Sequence, residues 1–249
     1  MKKVIRAVLT VIFCQAAFIS TASAQTVLAE PFTYSDGPLV GAAGSPWTTS
    51  SGTAGQQNVV SGRLFLNDDE SEDTVALFSA AVTFGSVSAV FDLQMDPADI
   101  VSSALGNYIT SFVGSNGNLV GRVFMITNPG GPAGTFRIGI STGAATPNAI
   151  FTSVFTTGTT YSISLSYDLT TNLATLSSAG FGSITSTDAV DNNNINRFGF
   201  RQDTTHGDVF IDNLVVTAIP EPATYMLFGM GLLVCAQQFR RRRAASNSK

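Results

Sequence analysis

The chain predicts an all-β fold: an antiparallel β-sandwich, or jelly roll, with an N-terminal signal peptide ahead of it and a C-terminal transmembrane helix behind it. Three observations carry that prediction. Apolar and polar residues alternate through several runs of the middle region. Clusters of Gly, Asn, Pro and Thr separate those runs. No long segment there repeats its apolar residues at helical spacing.

At the N-terminus, Lys2, Lys3 and Arg6 form a positive region and residues 7–19 are mostly apolar. Ala22-Ser23-Ala24 places small residues at −3 and −1 of a cleavage site. Residues 1–24 thus read as a Sec-type signal peptide cut between Ala24 and Gln25. The alternative, an uncleaved anchor helix, fits poorly with so short an apolar run followed by a cleavage site. Cys14 follows Val11-Ile12-Phe13, which is not the small-residue context of a lipoprotein signal.

Residues 25–217 form the predicted domain, long enough for one sizeable core. Val87, Ala89, Phe91, Leu93 and Met95 alternate with Ser88, Val90, Asp92, Gln94 and Asp96. Tyr161, Ile163, Leu165 and Tyr167 alternate with three serines and Asp168, and Phe136, Ile138 and Ile140 with Arg137, Gly139 and Ser141. Such a period of two puts one face on a core and the other in water. Further strands are expected at 58–66, 74–79, 108–113, 119–127, 150–155, 173–177, 198–201 and 209–217. Ser115-Asn116-Gly117-Asn118, Asn128-Pro129-Gly130-Gly131 and Thr170-Thr171-Asn172 supply turns between them. About ten short strands at this spacing favour a sandwich, which also limits exposed edges.

The last part of the chain, 218–249, is organised differently. Pro220-Glu221-Pro222 is followed by an apolar run, 223–239, with no charge between Glu221 and Arg240, and then by Arg240, Arg241, Arg242 and Arg243. As a helix the run would span roughly 26 Å at about 1.5 Å per residue, at the short end for a bilayer core of about 30 Å. The arginines, which can snorkel, should stay on the cytoplasmic side together with the rest of the tail, 240–249. Two prolines fix φ and hold Glu221 extended.

The succession Ile219-Pro-Glu-Pro-Ala-Thr-Tyr225, apolar segment and arginine cluster resembles the PEP-CTERM sorting signal of exported proteins in Gram-negative bacteria. The resemblance implies recognition of Pro220, Glu221 and Pro222 by a membrane exosortase and an anchor in the inner membrane that is only transient. It further implies export across that membrane to the cell surface or extracellular matrix, and an association with exopolysaccharide and biofilm. The domain itself resembles the concanavalin A-like (legume-lectin/laminin-G) jelly rolls. The resembling stretches are residues 30–39 with Trp47, the hairpin over 167–176, and the closing strand Val209-Phe210-Ile211-Asp212-Asn213-Leu214. That implies a fold that often binds sugars.

Charge narrows the partners. Between the terminal signals the domain holds 16 acidic residues and five basic ones, Arg63, Arg122, Arg137, Arg197 and Arg201, so its net charge is about −11. This argues against nucleic acid and anionic lipid and suits a soluble surface protein or one that gathers divalent cations. Both cysteines, Cys14 and Cys235, fall in the terminal apolar segments, so the domain has no disulfide.

Candidate site residues follow. Trp47, the single tryptophan, and Tyr34 could stack on a sugar ring, with Tyr108 and Asn116 as further members; a half-buried anchor is the competing role for Trp47. If the first and last strands pair, Glu30, Asp208 and Asp212 could converge on one structural Ca²⁺; otherwise they are surface and strand-end acids. The run 68–73 is acidic but lacks the spaced pattern of a dedicated calcium loop and is expected to be a solvated loop. Catalytic signals are poor. His206 is the only histidine and sits in a turn, and Asp92, Asp96 and Asp99 do not form the tight acidic cluster of the sandwich glucanases. The expected function is therefore that of a non-enzymatic, exosortase-sorted surface or matrix protein. A carbohydrate-binding, lectin-like module is the first alternative and a glycoside hydrolase the second.

Overall fold

The computed structural model describes residues 23–104 and 106–220. The signal peptide up to residue 22 and the apolar and arginine segments beyond Pro220 lie outside the described residues. Residues Ala24–Ile219 form one compact unit.

Every strand pairing in that unit is antiparallel, in two sheets packed face to face. The first sheet contains β1 (Gln25–Glu30), β2 (Gly37–Pro38), β4 (Asn58–Val60), β5 (Arg63–Leu66), β7 (Ser86–Met95), β13 (Tyr161–Asp168), β14 (Leu173–Ser178), β15 (Gly182–Thr185) and β17 (Val209–Ile219). Its order is β15-β14-β13-β7-β17-β5-β4-β2, with β1 also on β17. The second contains β3 (Trp47–Ser51), β6 (Asp73–Val82), β8 (Asn107–Gly114), β9 (Leu119–Thr127), β10 (Thr135–Ser141), β11 (Ala149–Ile150), β12 (Phe155–Thr156) and β16 (Ile195–Arg201). Its order is β11-β10-β9-β8-β16-β6-β3, with β12 also on β10.

The alternation in the sequence explains which residues fill the space between the sheets. On β7, Val87, Ala89, Phe91, Leu93 and Met95 are all fully buried, and on β13 so are Ile163, Leu165 and Tyr167. From the other sheet come Phe112, Met125, Ile138, Ile140, Phe198 and Phe200. Phe198 packs edge-on against Phe112, with ring centroids 5.4 Å apart. The three turns predicted between strands fall between β8 and β9, β9 and β10, and β13 and β14.

Two expectations need refinement. The strand predicted over 58–66 is a hairpin, β4 and β5, because Ser61 (φ 53°) and Gly62 (φ 75°) reverse the chain in the left-handed region that a two-residue hairpin turn requires. The strand predicted over 150–155 is two short pieces that pair with different stretches of β10, one with Gly139 and Ile140 and the other with Thr135 and Phe136. Strands β1, β3 and β15 lack clean alternation, so a period of two does not mark them in the sequence. The first and last strands do pair, Gln25 opposite Ala218 and Glu30 opposite Leu214.

Candidate functional site

Charge is divided between the sheets. The strands of the eight-stranded sheet hold four arginines, Arg122, Arg137, Arg197 and Arg201, against one acid, Asp73: a net +3. The strands of the nine-stranded sheet hold Arg63 against Glu30, Asp92, Asp168 and Asp212: a net −3. The pleat decides where the four arginines point. Each neighbours a core residue on its own strand: Arg122 precedes Val123, Arg137 precedes Ile138, Arg197 precedes Phe198 and Arg201 follows Phe200. Successive side chains alternate, so all four lie on the outer face of that sheet.

Pairing gathers two of these arginines, Arg122 and Arg201, and Tyr108 around a groove. On β16, Arg201 lies opposite Asp73 of β6, while Gly199 lies opposite Val75 on one side and Ser111 on the other. Gly199 leaves the floor low, since a Cβ there would meet the Thr74 carbonyl oxygen at 3.2 Å and Val75 at 3.3 Å. Tyr108 rises beside it. The Arg201 guanidinium lies 4.4 Å from the Tyr108 ring centroid and that of Arg122 lies 5.1 Å from it. Phe124 backs the same ring edge-on, at 6.0 Å. Ser50, Asp73, Val113 and Leu119 line the rest of a small cavity of about 40 Å³.

The electrostatics of the groove follow. Burial raises the Tyr108 pKa, against the pull of Arg201 and Arg122, so the phenol keeps its proton at neutral pH and can donate as well as accept. Burial also raises that of Asp73, with Ser51 and Arg201 opposing it. Arg201 makes both ion pairs found among the described residues, with Asp203 and, at 3.9 Å, with Asp73. Arg122 and Arg137 instead donate to backbone carbonyls, of Ala144 at 3.2 Å and Thr152 at 3.4 Å. Their charge is held in place without being neutralised by a carboxylate.

The carbonyl that holds Arg122 belongs to a turn fixed from elsewhere. The Asp188 carboxylate accepts from the backbone N–H groups of Thr142 (2.7 Å), Gly143 (2.8 Å) and Ala144 (2.8 Å), and from the Asn148 amide. Burial alone would raise the Asp188 pKa, but these donors, Gly143 first, bring it below the usual carboxylate value. Nothing in the linear sequence links 188 to 142–144.

The residues singled out from the sequence are distributed differently from what was expected. Trp47 and Tyr34 do meet, but at a buried carboxylate. Glu30 accepts from the Trp47 indole N–H (2.9 Å), the Tyr34 hydroxyl (2.7 Å) and the Phe32 backbone N–H (2.8 Å). Trp47 is only 2% exposed, stacked on Phe32 and tilted against Phe200, so its ring has no free face for a sugar. It is an anchor. Tyr34 is half-buried, and burial followed by Glu30 raises its pKa strongly. Tyr108 belongs to the outer face of the eight-stranded sheet, and Asn116 to the β8–β9 turn, where its side chain accepts from Asn118 N.

The grouping of Glu30, Asp208 and Asp212 expected around Ca²⁺ does not form. The first and last strands pair as supposed, but Glu30 turns into the sandwich, whereas Asp212 lies on β17 opposite Asp92, where the exposed Asn213 amide meets the Asp92 carboxylate. Asp208 joins Asp68 and Asp99 instead, with carboxylate oxygens within 4.8 Å of one another. Burial, then the neighbouring Asp99 and Asp208 carboxylates, push the Asp68 pKa up to about 6. Nor is the run 68–73 simply solvated. Glu72 is fully buried and accepts from Thr49 Oγ1 (2.6 Å), Gln56 N (2.8 Å) and Gln57 N (2.7 Å).

His206 is fully buried. Its Nε2 accepts from Asp203 N at 3.0 Å, so Nδ1 carries the proton and donates to the Gly207 carbonyl. Burial lowers its pKa. Of the processing residues, Ala24 immediately precedes β1, Gln25 opens it, and Pro220 follows the end of β17. Glu221, Pro222 and Arg240 to Arg243 lie outside the described residues.

Comparison with known proteins agrees with both halves of this description. Residues 218–243 match the PEP-CTERM protein-sorting motif. The sequence finds no match among curated proteins. Among solved structures the fold is similar to a sialidase at 14% identity and a TM-score of 0.50, covering 76% of this chain but only 19% of that one. It is similar to a winged bean acidic lectin complexed with methyl-α-D-galactose, at 12% identity and a TM-score of 0.50, covering 80% of this chain and all of the lectin. The lectin UEA-II, complexed with galactose, gives 12% identity and a TM-score of 0.50 over 80% of this chain and 98% of that one. At such identities the likeness is one of fold. The chain carries a PEP-CTERM sorting motif, the signal of an exported protein, and before it in the sequence a jelly-roll domain whose fold is similar to the concanavalin A-like fold of these lectins.

Proposed function

We propose that this is a non-enzymatic cell-surface or matrix protein, delivered by exosortase and associated with exopolysaccharide, whose domain binds carbohydrate in the groove at Tyr108. The observation that carries the reading is the ring itself. Tyr108 is partly exposed, keeps its hydroxyl proton, and is braced by Phe124 and two guanidiniums. With guanidiniums lying over the ring, the phenol hydroxyl and the guanidinium N–H groups form a fixed polar rim, which suits the hydroxyls of a pyranose. The lectins of similar fold are consistent with this reading. So is the state of His206: a buried imidazole with both nitrogens engaged within its own turn is poorly placed as a general base.

Two measurements test it. Cells expressing the chain with and without residues 220–243 should place it in different fractions; unchanged distribution would remove the sorting role. Glycan-array binding by the purified protein should be lost in Tyr108→Leu with the fold intact by circular dichroism. Turnover of any arrayed polysaccharide by the unmodified protein would restore the hydrolase alternative.

A further inference from the structure

The four outward arginines are unusual because of the domain around them. With about −11 overall, the domain has an excess of carboxylates available to neutralise five cations. Yet among the described residues only Arg201 forms ion pairs. Arg122 and Arg137 are fixed by neutral carbonyls, and Arg197 stands opposite Leu77 and Val113 on neighbouring strands. The fifth cation, Arg63 on the other sheet, donates to Gln94 Oε1 at 2.6 Å and covers the Phe210 ring. Segregation of this kind concentrates positive potential on one face and negative potential on the opposite sheet.

We propose that the ligand of the eight-stranded face is an acidic polysaccharide, a polymer bearing carboxylates, with Arg122 and Arg201 beside Tyr108 and with Arg137 and Arg197 engaging flanking sugar units. This rests on the carbohydrate-binding reading above and specifies the class of glycan. Guanidinium forks pair with carboxylates in two parallel hydrogen bonds. Arg197 and Arg201 are four residues apart on one strand, so roughly 13 Å at about 3.3 Å per residue. That span exceeds one sugar ring, so the face reads a polymer and not a monosaccharide. A polyuronate of moderate charge density suits a local +2, the four arginines less Asp73 and the Asp203 that pairs with Arg201, whereas the acidic remainder of the domain repels a denser polyanion such as duplex DNA.

The test uses the full chain purified in a neutral detergent, with sodium alginate, dextran and duplex DNA as probes in affinity electrophoresis and biolayer interferometry. Alginate is expected to bind, and dextran at least tenfold more weakly. The alginate Kd should rise by about tenfold or more between 50 and 500 mM NaCl. The double variant Arg137→Gln/Arg197→Gln should weaken alginate binding by about fivefold or more with an unchanged melting temperature, while Arg63→Gln leaves it unaltered. Equal or tighter binding to dextran, insensitive to salt, would overturn the inference and leave carbohydrate binding standing. DNA bound as tightly as alginate would also overturn it, reducing the face to a general polyanion trap. Binding to no glycan at all would remove both readings together.

Discussion

Replacing Glu30 with Gln should destabilise the domain far more than its conservative size suggests. Glu30 is 2% exposed and its two oxygens serve three donors: Phe32 N, Tyr34 OH and Trp47 Nε1. An amide retains one acceptor oxygen and turns an NH2 group toward the other position. Either Phe32 N–H or Trp47 N–H then faces a donor in a site closed to water. One buried donor left unmet costs about 1–3 kcal/mol. Losing the charge on the remaining bonds adds about 1 kcal/mol, since charged acceptors make roughly twice the bond of neutral ones. The sum, about 2–4 kcal/mol, is a large part of the stability of an ordinary domain, about 5–15 kcal/mol. Trp47 is the only tryptophan and touches the perturbed carboxylate, so urea unfolding followed by its fluorescence reads the site directly. Circular dichroism would check that the whole domain unfolds with it. A loss below about 0.5 kcal/mol would refute the assignment of Glu30 as the tie between the opening loop and β3.

Three further outcomes are expected. Asp68→Asn should stabilise the domain at pH 7.5 and have little effect near pH 4. With a folded-state pKa of about 6 against 3.8, Asp68 contributes stability at low pH that is lost as pH rises through about 6. Roughly two units at about 1.4 kcal/mol each set a ceiling of about 3 kcal/mol, of which about 1–2 should be recovered because Asp99 and Asp208 still crowd each other once Asp68 is neutral; equal melting curves at both pH values would contradict the clustering. His206 runs the other way. Its lowered pKa gives stability that is present above about pH 6.5 and lost as pH falls below it, so His206→Gln should flatten the acid limb of a pH–stability profile, and an unchanged limb would show that the ring is not buried as described. Gly52→Ala should cost about 3–4 kcal/mol in chemical denaturation, because the added carbon would sit 1.9 Å from the Ser71 carbonyl oxygen at a φ of +76°; a loss under about 1 kcal/mol would mean that the β3 and β5–β6 loops do not meet there.

The sequence by itself determined the strands with clean alternation, the turns between them and the sorting motif, and the reason in each case is that the information is local. A period of two places β7, β10 and β13 correctly because each strand's inner face is specified by its own residues. The Pro220-Glu221-Pro222 motif is linear, and no fold is needed to read it. Tertiary structure decided the rest. All five arginines were countable, but that four share one face depends on which way each pleat turns, and that three residues far apart in the chain, Tyr108, Arg122 and Arg201, meet depends on β16 pairing with β8 and β8 with β9. Whether Trp47 was an anchor or a ligand contact depended on β3 pairing with β6, which lays its ring against Phe32 and Phe200 and makes it an anchor. Glu30 and Asp208 lie near the two ends of the domain's sequence, and pairing of its first and last strands seemed enough to bring them together. Yet each met a closer partner, Glu30 the donors inside the sandwich and Asp208 the carboxylates of Asp68 and Asp99, because side-chain direction and register, not strand adjacency, set which groups touch.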